Sequence, residues 1–330
     1  MTRSRARPDR FRVGISSCLL GQEVRWNGAH KRDAWLVETL GPFVEWVPVC
    51  PEQEIGLGVP REPIRLEGNP AAPRLVGRES RVDLTDRMEA FAARRVEALA
   101  ALDLCGYVLK SDSPTCGMER VKVHGPAAGR PKAGVGLFAR ALMDRLPLLP
   151  VEEEGRLHDP GLRESFIERV FAFRRLRDLL ASKPGGSRLV EFHARHKLLL
   201  MAHDPEGARR LGRIVGGSAV KTGSAGARQA AGDAAGQYAV AFMETLKKRA
   251  TPSRHANVLQ HMLGYLKRNL DADDKQEVLQ AIDEMRLGRL PLVVPLALLR
   301  HHLRRHDVRY LLDQVYLNPH PRELMLRNHV

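Results

Sequence analysis

The sequence predicts an α/β domain followed by an all-helical domain. In the first half, short strand-like runs alternate with an amphipathic helical pattern, which is typical of a parallel, Rossmann-like sheet with helices on its faces. From about residue 160 onward, helical periodicity is the only pattern. The length of 330 residues suggests about two domains, and an apolar content of 43% provides material for two cores.

The elements of the first half follow from residue type and spacing. Strands are predicted at residues 12–15, 45–49 and 107–110, where β-branched and aromatic residues cluster. Residues 85–102 form a predicted helix, because Met88, Phe91, Val96 and Leu99 recur at helical spacing. The Gly-, Pro- and Ala-rich stretch 122–136 predicts a loop, and a helix is expected at 137–145.

The second half is predicted to be helical throughout. Helices are expected at 162–180, 187–202, 238–249, 253–269, 273–287 and 296–306, with Ser187 as the N-cap of the second. Residues 215–236 are rich in Gly, Ala and Ser, which fits either a small-residue helix or a connection. We therefore divide the chain into an α/β domain at 1–155, a helical linker at 156–186 and an all-helical domain at 187–330.

The charge distribution points to a polyanionic partner. The net charge is +14; residues 1–150 contain 23 Lys and Arg against 18 Asp and Glu, and residues 151–330 contain 30 against 21. Nucleic acid is the commonest polyanion, although an arginine-rich composition alone also produces such a surplus. The basic N-terminus lacks the apolar stretch of a secretory signal, and no run is long enough to span a membrane. We expect a cytoplasmic protein.

Three cysteines follow the three strand-like runs. Cys18 comes after the first, Cys50 after the second and Cys116 after the third. Because ligands collect at the carboxyl ends of parallel strands, these thiols are expected at one edge of the sheet. An iron–sulfur cluster with one open iron would use all three, whereas structural zinc usually shows paired C-x₂-C spacing. The spacing alone leaves three unrelated buried cysteines as an equal alternative, and Cys105 is predicted to be a buried apolar residue.

Several motifs in order resemble known families. Those resembling the thiouracil desulfurase family lie at residues 15–21, 24–28, 47–52, 60–61 and 110–117. Those resembling the YbgA-like domain lie at residues 189–197, 290–295 and 323–327. The combination is similar to bacterial tRNA 4-thiouridine desulfidases. Asn27 stands where an aspartate is expected, and Thr115 replaces the more usual serine beside the third cysteine.

The resemblance implies a specific cofactor and reaction. Cys18, Cys50 and Cys116 are the implied ligands of a 4Fe-4S cluster that keeps one open iron. Glu52 of the Cys-Pro-Glu motif is the implied catalytic carboxylate, acting as general base or acid, and Ser113 the implied catalytic serine. The implied reaction is hydrolytic conversion of 4-thiouridine in tRNA to uridine with release of sulfide, without a nicotinamide or flavin.

Candidate substrate contacts are inferred from adjacency to these motifs. In the first half they are Ser17, Arg61, Lys110 and Ser111. In the second half they are Arg195, His196 and Lys197, within a basic helix. The expected partner is tRNA containing 4-thiouridine, with no membrane and no obligate protein partner. Two alternatives remain: desulfuration of free thiouracil or thionucleosides, and a non-catalytic RNA-binding protein with a structural or redox-sensing cluster.

Overall fold

The computed structural model describes residues 10–125, 132–219 and 225–328. The chain divides into two compact units, Met1–His158 and Asp159–Val330. The first contains two four-stranded sheets with helices, and the described residues of the second contain only helical elements. The predicted fold class is therefore confirmed.

The first unit begins with strands β1, Phe11–Ser16, and β2, Val44–Val49. A short helix α1, Pro51–Glu54, precedes strands β3, Ile64–Asn69, and β4, Ala72–Gly77. Helix α2, Thr85–Ala100, leads to strand β5, Tyr107–Leu109. The unit continues with β6, Val121–His124, β7, Lys132–Gly134, helix α3, Leu137–Arg145, and β8, Val151–Glu153.

The sheet that carries the cysteines is parallel, with strand order β2-β1-β5-β8. Strand β1 is central and mostly buried, as expected for a parallel strand covered on both faces. Gly14 of β1 is required because a Cβ there would collide with the ring of Tyr107 on β5. The Tyr107 ring lies 6.0 Å from that of Phe138, which anchors α3 to the sheet. The three predicted strands and both predicted helices of this unit are confirmed.

The second sheet was not predicted. Its order is β4-β3-β6-β7, with β3 and β4 forming an antiparallel hairpin and β3 pairing in parallel with β6. The prediction of a loop over 122–136 is wrong where β6 and β7 lie; residues 126–131 are outside the described residues. These two strands have only four and three residues; β6 pairs with the distant β3, and β7 pairs only with β6.

The described part of the second unit contains seven long α-helices and one short one. They are α4, Pro160–Ala181; α5, Gly186–His203; α6, Pro205–Ala219; α7, Ala225–Lys247; α8, Pro252–Tyr265; α9, Ala272–Arg286; α10, Val293–Arg305; and the short α11, Arg309–Leu312. Helix α4 falls within the stretch that we interpreted as a linker. The prediction of Ser187 as an N-cap is wrong, because α5 begins one residue earlier and Gly185 is its N-cap. Helices α6 and α7 cover most of the ambiguous stretch 215–236, of which residues 220–224 are outside the described residues.

A buried ion-pair network holds α4 in place. Arg327 donates to Glu164 at 2.9 Å and to Glu168 at 2.7 Å, and all three side chains are buried. The second oxygen of Glu168 lies 3.0 Å from Nε2 of His203, whose Nδ1 donates to the carbonyl of Lys248. Two carboxylates therefore share a guanidinium and an imidazole inside the helical core. None of the described helices has the length and apolar content needed to cross a membrane.

Candidate active site

The three cysteines share one cavity of about 470 Å³ at the carboxyl edge of the parallel sheet. Cys18 lies in a short 3-10 turn directly after β1, Cys50 follows β2, and Cys116 lies in the loop after β5. Because β1 is hydrogen-bonded to both β2 and β5, the three strand ends are neighbours. The turn after Cys18 closes at Gly21, whose φ of 94° is in the left-handed region that favours glycine.

All four cysteines of the chain are free. Burial raises the pKa of Cys18 to about 11, an effect that Lys110 partly offsets. Burial likewise raises the pKa values of Cys50 and Cys116. These thiols are therefore not activated nucleophiles, and they would lose their protons on binding a cationic group.

The spacing of the thiols is wider than a single ion requires. Among the described residues, only Glu164, Glu168 and His320 bring three ligand atoms within 4.8 Å of one another. Three thiolates on one tetrahedral zinc, at about 2.3 Å each, would lie about 3.8 Å apart. Three cysteines that line one cavity at a larger separation fit a group larger than one ion, as an iron–sulfur cluster is.

Glu52 is fixed in this cavity from two sides. It lies on α1, two residues after Cys50, and one of its oxygens accepts a hydrogen bond from Thr115 at 3.0 Å. Its other oxygen pairs with Nη2 of Arg61. Arg61 also donates to the carbonyls of Val24 and Gly58, so its guanidinium is committed to holding Glu52 and the neighbouring loop.

Ser113 and Thr115 organise the third cysteine loop. The two hydroxyls are 3.0 Å apart, and Ser113 Oγ accepts from the backbone N–H of Cys116 at 3.1 Å. Thr115 Oγ1 lies 3.6 Å from Cys116 Sγ. Thr115 thus connects the serine, the carboxylate and the thiol, a role that the sequence did not reveal because its partner Glu52 is 63 residues away. Asn27 accepts from the N–H of Ala29 and stabilises a turn.

Lys110 and Ser111 are held by a residue that sequence reasoning missed. Glu154 directly follows β8 and pairs with the ammonium group of Lys110. It also accepts from the backbone N–H of Ser111 at 2.7 Å and from its hydroxyl at 2.8 Å. Both predicted contact residues line the cavity, together with buried Ser17, but their donors are used by Glu154 and, for Lys110, also by the carbonyl and hydroxyl of Ser111.

The lining of the cavity also contains an aromatic ring and charges of both signs. Trp26 is 45% exposed, and the cations Arg25 and Lys31 line the cavity together with the carboxylates of Glu62 and Asp112. An exposed indole offers a face on which a planar base can stack. The site therefore combines three thiols and the carboxylate of Glu52 with an exposed indole that offers a stacking face.

Comparison with known proteins gives the relationship of each unit. Residues 13–154 match the model of the 2-thiouracil desulfurase family. The uncharacterized protein YbbK of Bacillus subtilis is 30% identical over 133 residues, which is 39% of this chain and 87% of that protein. The chain belongs to the 2-thiouracil desulfurase family. A solved structure of the 4Fe-4S-dependent thiouracil desulfidase TudS is 31% identical, covers 47% of this chain and 99% of that chain, and superposes with a TM-score of 0.37.

The second unit matches a different family. Residues 197–321 match the model of DUF1722, a protein of unknown function. The uncharacterized protein YbgA of Escherichia coli is 30% identical over 165 residues, which is 50% of this chain and 94% of that protein. We call Asp159–Val330 the YbgA-like unit.

The candidate contacts in the YbgA-like unit lie on α5. Arg195 and Lys197 are exposed, whereas His196 is 2% exposed and stacks on Phe192 with ring centroids 4.0 Å apart. Its Nδ1 donates to the Phe192 carbonyl at 2.7 Å, and burial lowers the pKa of His196 to about 3. His196 is therefore neutral at pH 7 and contributes no positive charge to this helix.

The converging ligand atoms of Glu164, Glu168 and His320 do not form a convincing metal site. Arg327 already donates to both carboxylates and supplies their counter-charge from within the core. A divalent ion would have to bind beside this guanidinium, at a large electrostatic cost in a buried setting. We interpret the cluster as part of the structural network.

Proposed function

We propose that this protein is a desulfidase that converts 4-thiouridine in tRNA to uridine and releases sulfide. The observation that carries the proposal is the convergence of Cys18, Cys50, Cys116 and Glu52 in one cavity of about 470 Å³. Membership of the 2-thiouracil desulfurase family supports the reaction type. The reaction belongs in the cytoplasm, where thiols stay reduced.

Cys18, Cys50 and Cys116 are proposed to hold a 4Fe-4S cluster with one open iron. Support comes from the number of thiols, their spacing and their position beside a carboxylate. When bound, such a cluster supplies a Lewis acid that polarises the thiocarbonyl group. The buried surroundings exclude competing thiol chemistry, because the uncoordinated thiols stay protonated.

The protein's own groups would move the protons. Glu52 accepts a proton from the attacking water and returns it to the departing sulfur, while Arg61 and Thr115 hold its two oxygens. Ser113 orients Thr115 and the loop that carries Cys116. The water oxygen replaces the sulfur on the ring carbon, and both water protons leave with the sulfur as hydrogen sulfide. No oxidant or reductant is consumed.

A basic groove of the YbgA-like unit supports tRNA as the substrate. It has a volume of about 510 Å³ and is lined by Ala297, Arg300, His301, Arg304, Arg305 and Arg322. Its lining contains no carboxylate, and residues 151–330 as a whole carry a net charge of +9. Phosphate contacts of this kind supply most of the affinity for nucleic acid.

A second candidate is desulfuration of a free thiolated base. One observation favours it: every residue that lines the cysteine cavity belongs to the first unit. Binding a free base in this cavity requires no contact from the YbgA-like unit. A target base within folded tRNA would instead have to be flipped out of its stack before it could enter.

The test uses anaerobically reconstituted full-length protein with tRNA containing 4-thiouridine and, in parallel, free 4-thiouracil. Loss of the thiocarbonyl absorbance and release of sulfide are followed together, with Cys116→Ala and Glu52→Gln as variants. We expect the wild type to desulfurate the tRNA and both variants to be inactive on it. Turnover of the free base alone would replace the main proposal by the second. RNA binding without sulfide release by the wild type would contradict both.

A further inference from the structure

A cavity of about 300 Å³ in the YbgA-like unit lies between α4 and α5. Three arginines line it: Arg175 from α4, and Arg188 and Arg195 from α5. One wall is Phe192, on which His196 is stacked. We call this set the arginine pocket. The sequence pointed to Arg195 and His196, but it gave no sign that Arg175 joins them.

The three guanidinium groups have no directly bound counter-charge; Glu168 partly offsets the lowered pKa of Arg175 but is itself bound by Arg327 and His203. None of them forms an ion pair among the described residues of the protein. Arg175 donates through Nη2 to the carbonyl of Pro319 at 2.6 Å, while its Nη1 is buried and donates to no described group. Burial, and then repulsion from Arg195, lower the pKa of Arg175 to about 10.

The carboxylates nearby do not neutralise the pocket. Asp178 lines it but is bound to Arg174 at 3.0 Å, and Glu191 is exposed and forms no ion pair with the pocket. Like charges gathered beside a buried, unsatisfied donor cost free energy that a bound anion would recover. The pocket is therefore built for an anion.

The shape and the wall specify the anion further. Guanidinium groups match phosphate oxygens in planar, bidentate geometry, so phosphate is the expected group. His196 is neutral and stacked, so the wall beside the arginines is aromatic and uncharged. A sugar or base attached to the phosphate can pack on such a wall, whereas inorganic phosphate gains nothing from it.

We propose that the arginine pocket binds a backbone phosphate of RNA, with the attached nucleoside against Phe192. This inference rests on the proposed function, in which tRNA is the substrate. It adds a fixed anchoring point on α4 and α5 to the open basic groove on α10. The pocket acts in binding and takes no part in the chemistry at Glu52.

The experiment compares two double variants of the full-length protein. The pocket variant is Arg188→Gln with Arg195→Gln, both exposed residues whose replacement leaves the core intact. The control is Arg209→Gln with Arg210→Gln, which removes the same charge from exposed positions of α6. Affinity for tRNA is measured by filter binding at several salt concentrations, and thermal unfolding is measured in chloride and in inorganic phosphate at equal ionic strength.

We expect the pocket variant to bind tRNA at least about 10-fold more weakly than wild type, because charge-assisted hydrogen bonds are lost. The control is expected to lose less than about threefold, since charges outside the pocket act on the RNA only through a screened field. Replacing chloride by inorganic phosphate should raise the melting temperatures of the wild type and the control by more than it raises that of the pocket variant. The proposal would be overturned if both double variants lost the same tRNA affinity and if phosphate changed the melting temperatures of all three proteins equally.

The same proteins separate this inference from the proposed function. If wild type desulfurates tRNA and the pocket variant matches the control in affinity, the pocket is wrong and the proposed function stands. If wild type desulfurates only the free base and does not bind tRNA, the proposed substrate and the RNA ligand of the pocket both fail.

Discussion

At the scale of single residues, the candidate site depends on side chains that hold other side chains. Glu52 is the clearest case, because Arg61 fixes one oxygen and Thr115 the other. A general base must keep a defined direction towards the water that it activates. The threonine that departs from the family pattern therefore still supplies the hydroxyl that the site needs.

Replacing Thr115 by valine should lower turnover without lowering the iron content of the reconstituted protein. The change keeps the shape of the side chain but removes the hydrogen bond to Glu52. Loss of a hydrogen bond to a charged group, about 1.5–3 kcal/mol, predicts a kcat lower by about 10- to 100-fold. The rate of sulfide release is measured at matched iron content. Thr115→Ser should retain most of the activity, and full activity of Thr115→Val would contradict this role.

Two buried histidines make the second unit sensitive to mild acid. Burial lowers the pKa values of His196 and His255 to about 3, so both stay neutral in the folded protein. As pH falls below about 6.5 the unfolded chain takes up protons that the folded chain does not, and stability is lost. The expected loss between pH 7 and 5 is about 2 kcal/mol for each histidine.

Denaturant unfolding at pH 7 and pH 5 tests this expectation. His196→Gln should reduce the loss of stability on acidification, because one such group is removed. His261→Gln, at an exposed position, is the matched control and should leave the loss unchanged. If the free energy of unfolding depended on pH in the same way in all three proteins, His196 would not be a source of the acid sensitivity.

At the scale of elements, three strand ends create the site and one helix anchors the second unit. Strands β2, β1 and β5 are neighbours, so residues 18, 50 and 116 reach the same edge. Helix α4 is held through Glu164 and Glu168, both bound by Arg327. In each case, residues far apart in sequence come together only in the folded unit.

Arg327→Met should destabilise the second unit strongly. It leaves two buried carboxylates with no guanidinium, and breaking a buried pair costs about 3–5 kcal/mol. Unfolding in denaturant measures the change. Arg322→Met, at an exposed position of the same segment, should change the stability by less than about 0.5 kcal/mol. Adding Glu164→Gln to Arg327→Met should recover part of the loss, and no recovery would argue against the network.

The elements also show how far the sequence could predict. Strands β1, β2 and β5 and helices α2 and α3 have clear local patterns, and Cys18, Cys50 and Cys116 follow from the topology of a parallel sheet. Strands β6 and β7 were missed because both are short, and because β6 pairs with the distant β3 while β7 pairs only with β6. Glu154 and Thr115 were missed because their partners lie 43 or more residues away, and no local pattern reports such a pairing.

At the scale of the whole molecule, chemistry and charge are distributed between two units. The cysteine cavity belongs entirely to the first, and the larger basic surplus belongs to the second. Such a division suits a substrate that is small at the reacting atom and polyanionic elsewhere. It also allows the two contributions to be measured separately.

Salt should separate the two contributions. Raising the salt from about 50 to 200 mM should lower kcat/KM for tRNA by about 10³-fold if six phosphates are contacted. The same change should leave kcat/KM for free 4-thiouracil within about twofold, because a neutral base releases no counterions. Both are measured as sulfide release. Equal and weak salt dependence for the two substrates would contradict RNA binding.

The position of the three cysteines also has a consequence for biogenesis. Cys18 and Cys116 are separated by nearly a hundred residues, and they become neighbours only when β5 has joined β1. A nascent chain that has emerged only as far as β2 offers two thiols and no complete receptor. Any group held by all three must therefore be delivered to a folded domain after translation has passed the third thiol. The maturation machinery would then meet the opening beside Trp26 rather than an extended polypeptide.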